Sequence, residues 1–167
     1  MVKKPIKMIA ENAIIAALYC AVTILCAPIS YLGIQFRIGE IIVLLCFWRP
    51  DFCLGLTIGC LLANIPSSLG AWDMLFGTLA TLVSVLLVSY ASPRLYIAVI
   101  YPVVINALVV GAELYYILDL DFWLNAGLVA AGEAAVMVGG YFVWILLAKN
   151  KGFMRFLEPS KHLSVMY

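Results

Sequence analysis

The chain has 167 residues, 66% of them hydrophobic and 11% charged, with a formal net charge of +1 and a mean hydropathy of +1.11. Soluble domains run about half apolar and about a quarter charged, so the surplus apolar surface must face lipid. Composition excludes a soluble enzyme, a secreted disulfide scaffold, a nucleic-acid binder and a disordered chain. What remains is an all-α, polytopic membrane protein whose 167 residues form one membrane domain.

At about 20 apolar residues per crossing, the chain has room for six or seven spans. The first runs over Met8–Ala27, behind Lys3, Lys4 and Lys7. The start resembles a signal peptide, but Glu11 and Asn12 interrupt it and no convincing cleavage site precedes Pro28, so it reads as a retained span. Glu11 lies four residues after Lys7, the spacing of a helix-surface ion pair. Ala13, Ala17 and Ala21 form a stripe of small residues that lets another helix approach closely in lipid. That helix is either internal or part of a separate membrane subunit, and the GxxxG of Gly55 and Gly59 leaves the same choice open.

The stretch Ile41–Ile65 is long enough for one crossing, but Arg49-Pro50-Asp51 sits in its middle. Proline breaks helices and charges are costly at mid-bilayer. The alternative is two short helices, 38–48 and 52–65. With further spans at 73–90, 95–118 and 124–148, that makes six transmembrane helices. The distribution of basic residues decides for six. With both termini cytoplasmic, Lys3, Lys4, Lys7, Arg49, Arg94, Lys149, Lys151, Arg155 and Lys161 all lie inside, and Arg37 is the exception among ten. Five spans would place Arg94 and the C-terminal basic cluster outside.

Polar groups held in a membrane are the strongest pointers to function. Arg37 and Glu40 lie near the start of the second helix and are spaced either to pair or to meet a ligand. Asn64 and Asp73 flank the next outer connection, where Asp73 either caps a helix or binds. Asn106 and Glu113 are seven apart on one helix face. Glu133 lies among small residues, which leave room beside it. Together with Trp72, Tyr115 and Trp123 these groups belong to the outer half. Acids, amides and rings suit a flat, donor-rich heterocycle such as a guanine-type edge, held by stacking and edge hydrogen bonds.

Five cysteines without a CxxC pair and one histidine, His162, argue against a metal site. No GxxxxGK[ST] loop occurs, so the chain itself does not hydrolyse ATP. No nucleophilic triad can be built either, so no catalytic residue and no cofactor is assigned.

Phe36-Arg37-Ile38-Gly39-Glu40, Gly59-Cys60-Leu61-Leu62-Ala63-Asn64, Asp73 to Leu82, Tyr101 to Gly111 and Gly132-Glu133 resemble the QueT family in order along the chain. The resemblance implies the substrate-capturing S component of an energy-coupling factor importer in a prokaryotic plasma membrane, specific for a queuosine precursor, a 7-deazaguanine base. It further implies two kinds of partner, a transmembrane coupling subunit and two ATPase subunits. Docking would use Ala13, Ala17 and Ala21, and the pocket would open outward beneath a roof at Pro28–Arg37. The turn at Trp48-Arg49-Pro50-Asp51 is more charged than that pattern and departs from it. The competing reading is a self-contained secondary carrier or channel, which would need matched interrupted helices in its two halves.

Overall fold

The computed structural model describes residues 5–26 and 36–157. Among the described residues it is all helical. In chain order the elements are α1 (Pro5–Leu25), a 3₁₀ helix (Ile38–Phe47), a 3₁₀ turn (Pro50–Phe52) leading into α2 (Cys53–Ala63), α3 (Ala71–Tyr90), a short α4 (Leu95–Ala98), α5 (Ile100–Leu118), α6 (Phe122–Ala148) and α7 (Lys151–Leu157). Four stretches are long and apolar enough to cross a membrane: Pro5–Leu25, Ala71–Tyr90, Leu95–Leu118 and Phe122–Ala148.

The segment expected as a second α-helix is instead 3₁₀ along its whole length. Ten residues at about 2.0 Å rise reach roughly 20 Å, against roughly 15 Å in an α-helix. The tighter winding therefore stretches a short segment further across the bundle. It is apolar on every side, the mark of a central helix. Val43, Leu44, Cys46, Phe47 and Trp48 are fully buried, and α1, α3 and α6 pack around it. The Trp144 indole of α6 donates to the Ile41 carbonyl at 2.7 Å, tying the two elements together.

Lipid tails are as apolar as the side chains, so close backbone approach and polar bonds hold such helices together. The GxxxG of α2 serves that purpose internally. A Cβ on Gly55 would lie 2.6 Å from the Asn12 carbonyl, and one on Gly59 would lie 2.7 Å from the Ala16 carbonyl. The Gly55 amide also donates to Asn12 Oδ1 at 2.8 Å. Thus α1 and α2 run parallel and nearly touching, whereas Ala13, Ala17 and Ala21 point away and are exposed. Gly111 meets Ala126 in the same way and brings α5 against α6.

Local chemistry sets the ends. The Asp121 carboxylate accepts from the Leu124 amide at 2.7 Å and starts α6 at Phe122, two residues before the expected boundary. Asp73 does not cap α3: Gly70 holds that position with φ 56°, and Asp73 is buried one turn inside. Pro102 supplies no N–H to the Ala98 carbonyl, and the helix is interrupted at Val99 between α4 and α5. The bundle has two ends. One gathers the start of α1, the Arg49 turn and α7. The other gathers the end of α1, residues 36–40, the α2–α3 connection and the α5–α6 connection.

Candidate functional site

The second end holds a buried polar cluster. On α3 the buried residues Asp73, Gly77, Ala80, Thr81, Ser84, Val85 and Val88 recur every three or four positions, so one stripe carries polar groups into the interior. Asn106, Val110 and Glu113 of α5, and Val129, Glu133 and Met137 of α6, do the same. The chain entering the 3₁₀ helix contributes Arg37 and Glu40. Arg37, Glu40, Asn64, Asn106, Glu113 and Glu133 are each no more than 3% exposed.

Arg37 and Glu40 do not resolve into a simple pair with each other. The Arg37 Nη2 donates to Asn64 Oδ1 at 2.7 Å. The Asn64 amide in turn donates to the Asp73 carbonyl at 3.1 Å, bridging the two helices. Gly77 makes this possible, since a Cβ there would stand 2.6 Å from the Asn64 amide nitrogen and 3.2 Å from the guanidinium. Glu40 Oε1 accepts from the Tyr19 hydroxyl of α1, and the Thr81 hydroxyl lies 3.3 Å from the same oxygen. The Thr81 hydroxyl also lies 3.1 Å from Cys60 Sγ. Asp73 accepts from Ser67. Asn106 donates to Glu133 Oε1 at a long 3.4 Å.

Much of the cluster's hydrogen-bonding capacity is unused. Arg37 Nε and Nη1, Glu40 Oε2, Asn106 Oδ1 and both Glu113 oxygens are buried without a hydrogen-bond partner among the described residues. A native interior pairs most of its buried polar atoms, and each orphan carries a desolvation penalty of about 1–3 kcal/mol. Two donor atoms and four acceptor atoms are thus left open in one polar cluster among the described residues. Glu133 lies within reach of Glu40 and Arg37, and Glu113 within reach of Asp73 and Arg37. One guanidinium is thus set among several carboxyl groups.

Most residues singled out in the sequence converge here: Arg37, Glu40, Asn64, Asp73, Asn106, Glu113 and Glu133. Trp72, Tyr115 and Trp123 do not join them in the interior. All three are substantially exposed, with Trp72 against Phe76 at 6.3 Å, Tyr115 against Tyr116 at 5.1 Å and Trp123 against Phe122 at 4.9 Å. The roof expected at Pro28–Arg37 lies largely outside the described residues, as does His162. Sequence reasoning missed Tyr19, Thr81, Cys60 and Gly77. The signal available was a hydroxyl in mid-span: Tyr19 on the side of α1 away from the alanine stripe, and Thr81 two turns beyond Asp73 on its own helix.

The other end carries a second polar constellation. Arg49 donates from Nε to Asp51 Oδ1 at 2.8 Å, from Nη1 to the Leu157 carbonyl at 2.6 Å, and from Nη2 to Asp51 Oδ2 at 2.7 Å and Glu11 Oε2 at 2.5 Å. Burial opposes its charge, but the bonds to Asp51 and Glu11 outweigh that and raise the guanidinium's pKa above its ordinary value. The expected Lys7–Glu11 pair is present at 3.7 Å, a longer contact than that of Arg49 with the same acid. No group of three or more potential metal ligands occurs among the described residues.

A profile of the QueT transporter family matches residues 9–149, a range that includes every member of the cluster. A relative from Lactococcus lactis subsp. cremoris (strain MG1363), named queuosine precursor transporter QueT, is 30% identical over 156 residues, which cover 83% of this chain and 90% of that protein. No solved structure matches.

Proposed function

The chain belongs to the QueT transporter family, and on that premise we propose that it captures a queuosine precursor, a base of 7-deazaguanine type, from outside a prokaryotic cell. The observation that carries this reading is the buried set of open donors and acceptors around Arg37. A deazaguanine edge offers adjacent N–H donors to carboxylates such as Glu113 and Glu133, and a carbonyl to the free N–H groups of Arg37. Asn64 and Asn106 add amides, while Glu40 and Asp73 are the acids available to a group at the 7-position. Trp72 remains a candidate only for the entrance.

In this proposal the bundle crosses the membrane six times, with the short Ile38–Phe47 and Pro50–Ala63 helices completing the four long spans. Both termini face the cytoplasm, since Lys7, Arg49, Arg94, Lys149 and Lys151 gather at one end. The cluster then opens to the outer side. The chain serves as the S component of an energy-coupling factor importer, with a transmembrane coupling subunit and two ATPases supplying the work. Two features support this division of labour: the sequence has no phosphate loop, and the alanine stripe of α1 is exposed.

The deciding experiment is a titration of the detergent-solubilised protein with 7-deazaguanine bases bearing nitrile, aminomethyl or cyclopentenediol groups, and with guanine. Saturable binding of a deazaguanine is expected. Glu113→Gln and Glu133→Gln should each weaken it about tenfold or more, the scale of one lost hydrogen bond to a charged group. Wild-type affinity in both variants would refute the assignment. Ala17→Trp should abolish uptake by cells while leaving binding by the isolated protein intact.

A further inference from the structure

Tyr19 belongs to none of the expected functional residues, yet its placement is tightly specified. It is fully buried, and its side chain packs against two glycines, one at its base and one at its ring. A Cβ on Gly59 would lie 3.1 Å from the Tyr19 Cβ, and one on Gly39 would lie 3.5 Å from Cε2. From that seat its hydroxyl donates to Glu40 Oε1. The Thr81 hydroxyl flanks the same oxygen at 3.3 Å from the opposite helix. Glu40 is therefore held from two sides through one oxygen. The other, Oε2, is buried and has no partner among the described residues. Asp73, the alternative acid for a cationic group, likewise has one carboxylate oxygen engaged, by Ser67, but neither of its oxygens is among the buried unpartnered atoms of the described residues.

We infer that Tyr19, assisted by Thr81, is a positioning residue that presents Glu40 to the ligand through Oε2, making Glu40 the acid that receives a cationic substituent. The inference rests on the ligand class proposed above. A carboxylate with donors fixed on one oxygen aims the other at a single point. An ammonium group gains most from that arrangement, since it supplies both donors and the opposite charge. A neutral nitrile at the same position supplies neither and gains little. A tyrosine needed only to pack against Gly39 and Gly59 would treat the two bases alike.

The test is to titrate purified wild type, Tyr19→Phe, Thr81→Val, Glu40→Gln and the Tyr19→Phe/Glu40→Gln double variant with the aminomethyl and the nitrile base. Tyr19→Phe should weaken the aminomethyl base about tenfold and the nitrile base much less. Thr81→Val should act in the same direction more weakly, and carries the test if Tyr19→Phe does not fold. The double variant should be no weaker than Glu40→Gln alone, because the phenol acts only through Glu40. Equal losses for both bases, no loss for either, or additive losses in the double variant would overturn the inference while leaving the ligand class standing. Binding of neither base by folded wild type would overturn the ligand class, and this inference with it.

Discussion

The protein buries two arginines, one at each end of its bundle, and treats them in opposite ways. Arg49 is 2% exposed and has all three of its nitrogens engaged. Its partners come from three separate elements, Glu11 of α1, Asp51 of the turn before α2, and Leu157 of α7. It is a fastener. Arg37 is 3% exposed and makes one side-chain bond, to Asn64, while two of its nitrogens have no partner among the described residues. A buried cation is tolerable when paired and hydrogen-bonded, and costly otherwise. The difference therefore separates a charge that holds the fold from a charge the fold holds in readiness.

Exchanging the two roles breaks the comparison most directly. Arg49→Met should lower stability by about 3 kcal/mol, the low end for breaking a buried pair, because Glu11 and Asp51 retain partial access to water. Thermal unfolding in detergent measures this, and base affinity should stay within about threefold because the sites are far apart. Arg37→Met should do the reverse. Affinity should fall about 100-fold, or about 2.7 kcal/mol, while the unfolding midpoint stays at or above that of wild type, since an under-satisfied buried charge has been removed. Parallel losses of stability and affinity in both variants would erase the distinction.

The ends were unequally legible in the sequence. Long apolar runs locate the four long helices, and the turn at Arg49-Pro50-Asp51 divides the short ones as expected. The acids and amides of the cluster are legible because charged and amide side chains are rare in lipid-facing helices and so announce themselves. Tyr19 and Thr81 do not, since one tyrosine or threonine in an apolar span is unremarkable until its partner is known. The 3₁₀ winding of Ile38–Phe47 is likewise invisible, because the sequence pattern marks the segment as apolar all round without fixing its pitch. Arg49 stood out as an excess charge. Its role depends on Leu157, 108 residues away, a separation no local pattern spans. For the GxxxG of α2 the sequence left two uses open, and backbone contact with Asn12 and Ala16 decides for internal packing.

Gly77 sharpens the comparison at smaller amplitude. It is the clearance that lets Arg37 and Asn64 meet beside α3, with a hypothetical Cβ 2.6 Å from the Asn64 amide nitrogen. Gly77→Ala should displace that amide and weaken base binding about tenfold, comparable to losing one charged hydrogen bond. Alanine is otherwise the better helix former by about 1 kcal/mol, so stability should change little. Unaltered affinity in this variant would mean that the Arg37–Asn64 contact is incidental to the ligand.

The smallest effect belongs to Lys7, and it tests why Arg49 counts as the fastener. Among the described residues, Glu11 meets Arg49 at 2.5 Å and Lys7 at 3.7 Å. The Lys7 side chain is 54% exposed, against 3% for Arg49. An exposed lysine spaced i,i+4 from its acid contributes only about 0.3–0.5 kcal/mol, reduced further by salt. Lys7→Met should therefore move the unfolding midpoint barely, and less again at high ionic strength, while Arg49→Met keeps most of its effect there because buried charges are screened much less than exposed ones. Equal salt sensitivity of the two variants would show that the Arg49 cluster is screened like a surface pair, and the contrast between a fully engaged and an under-engaged buried arginine would lose its physical basis.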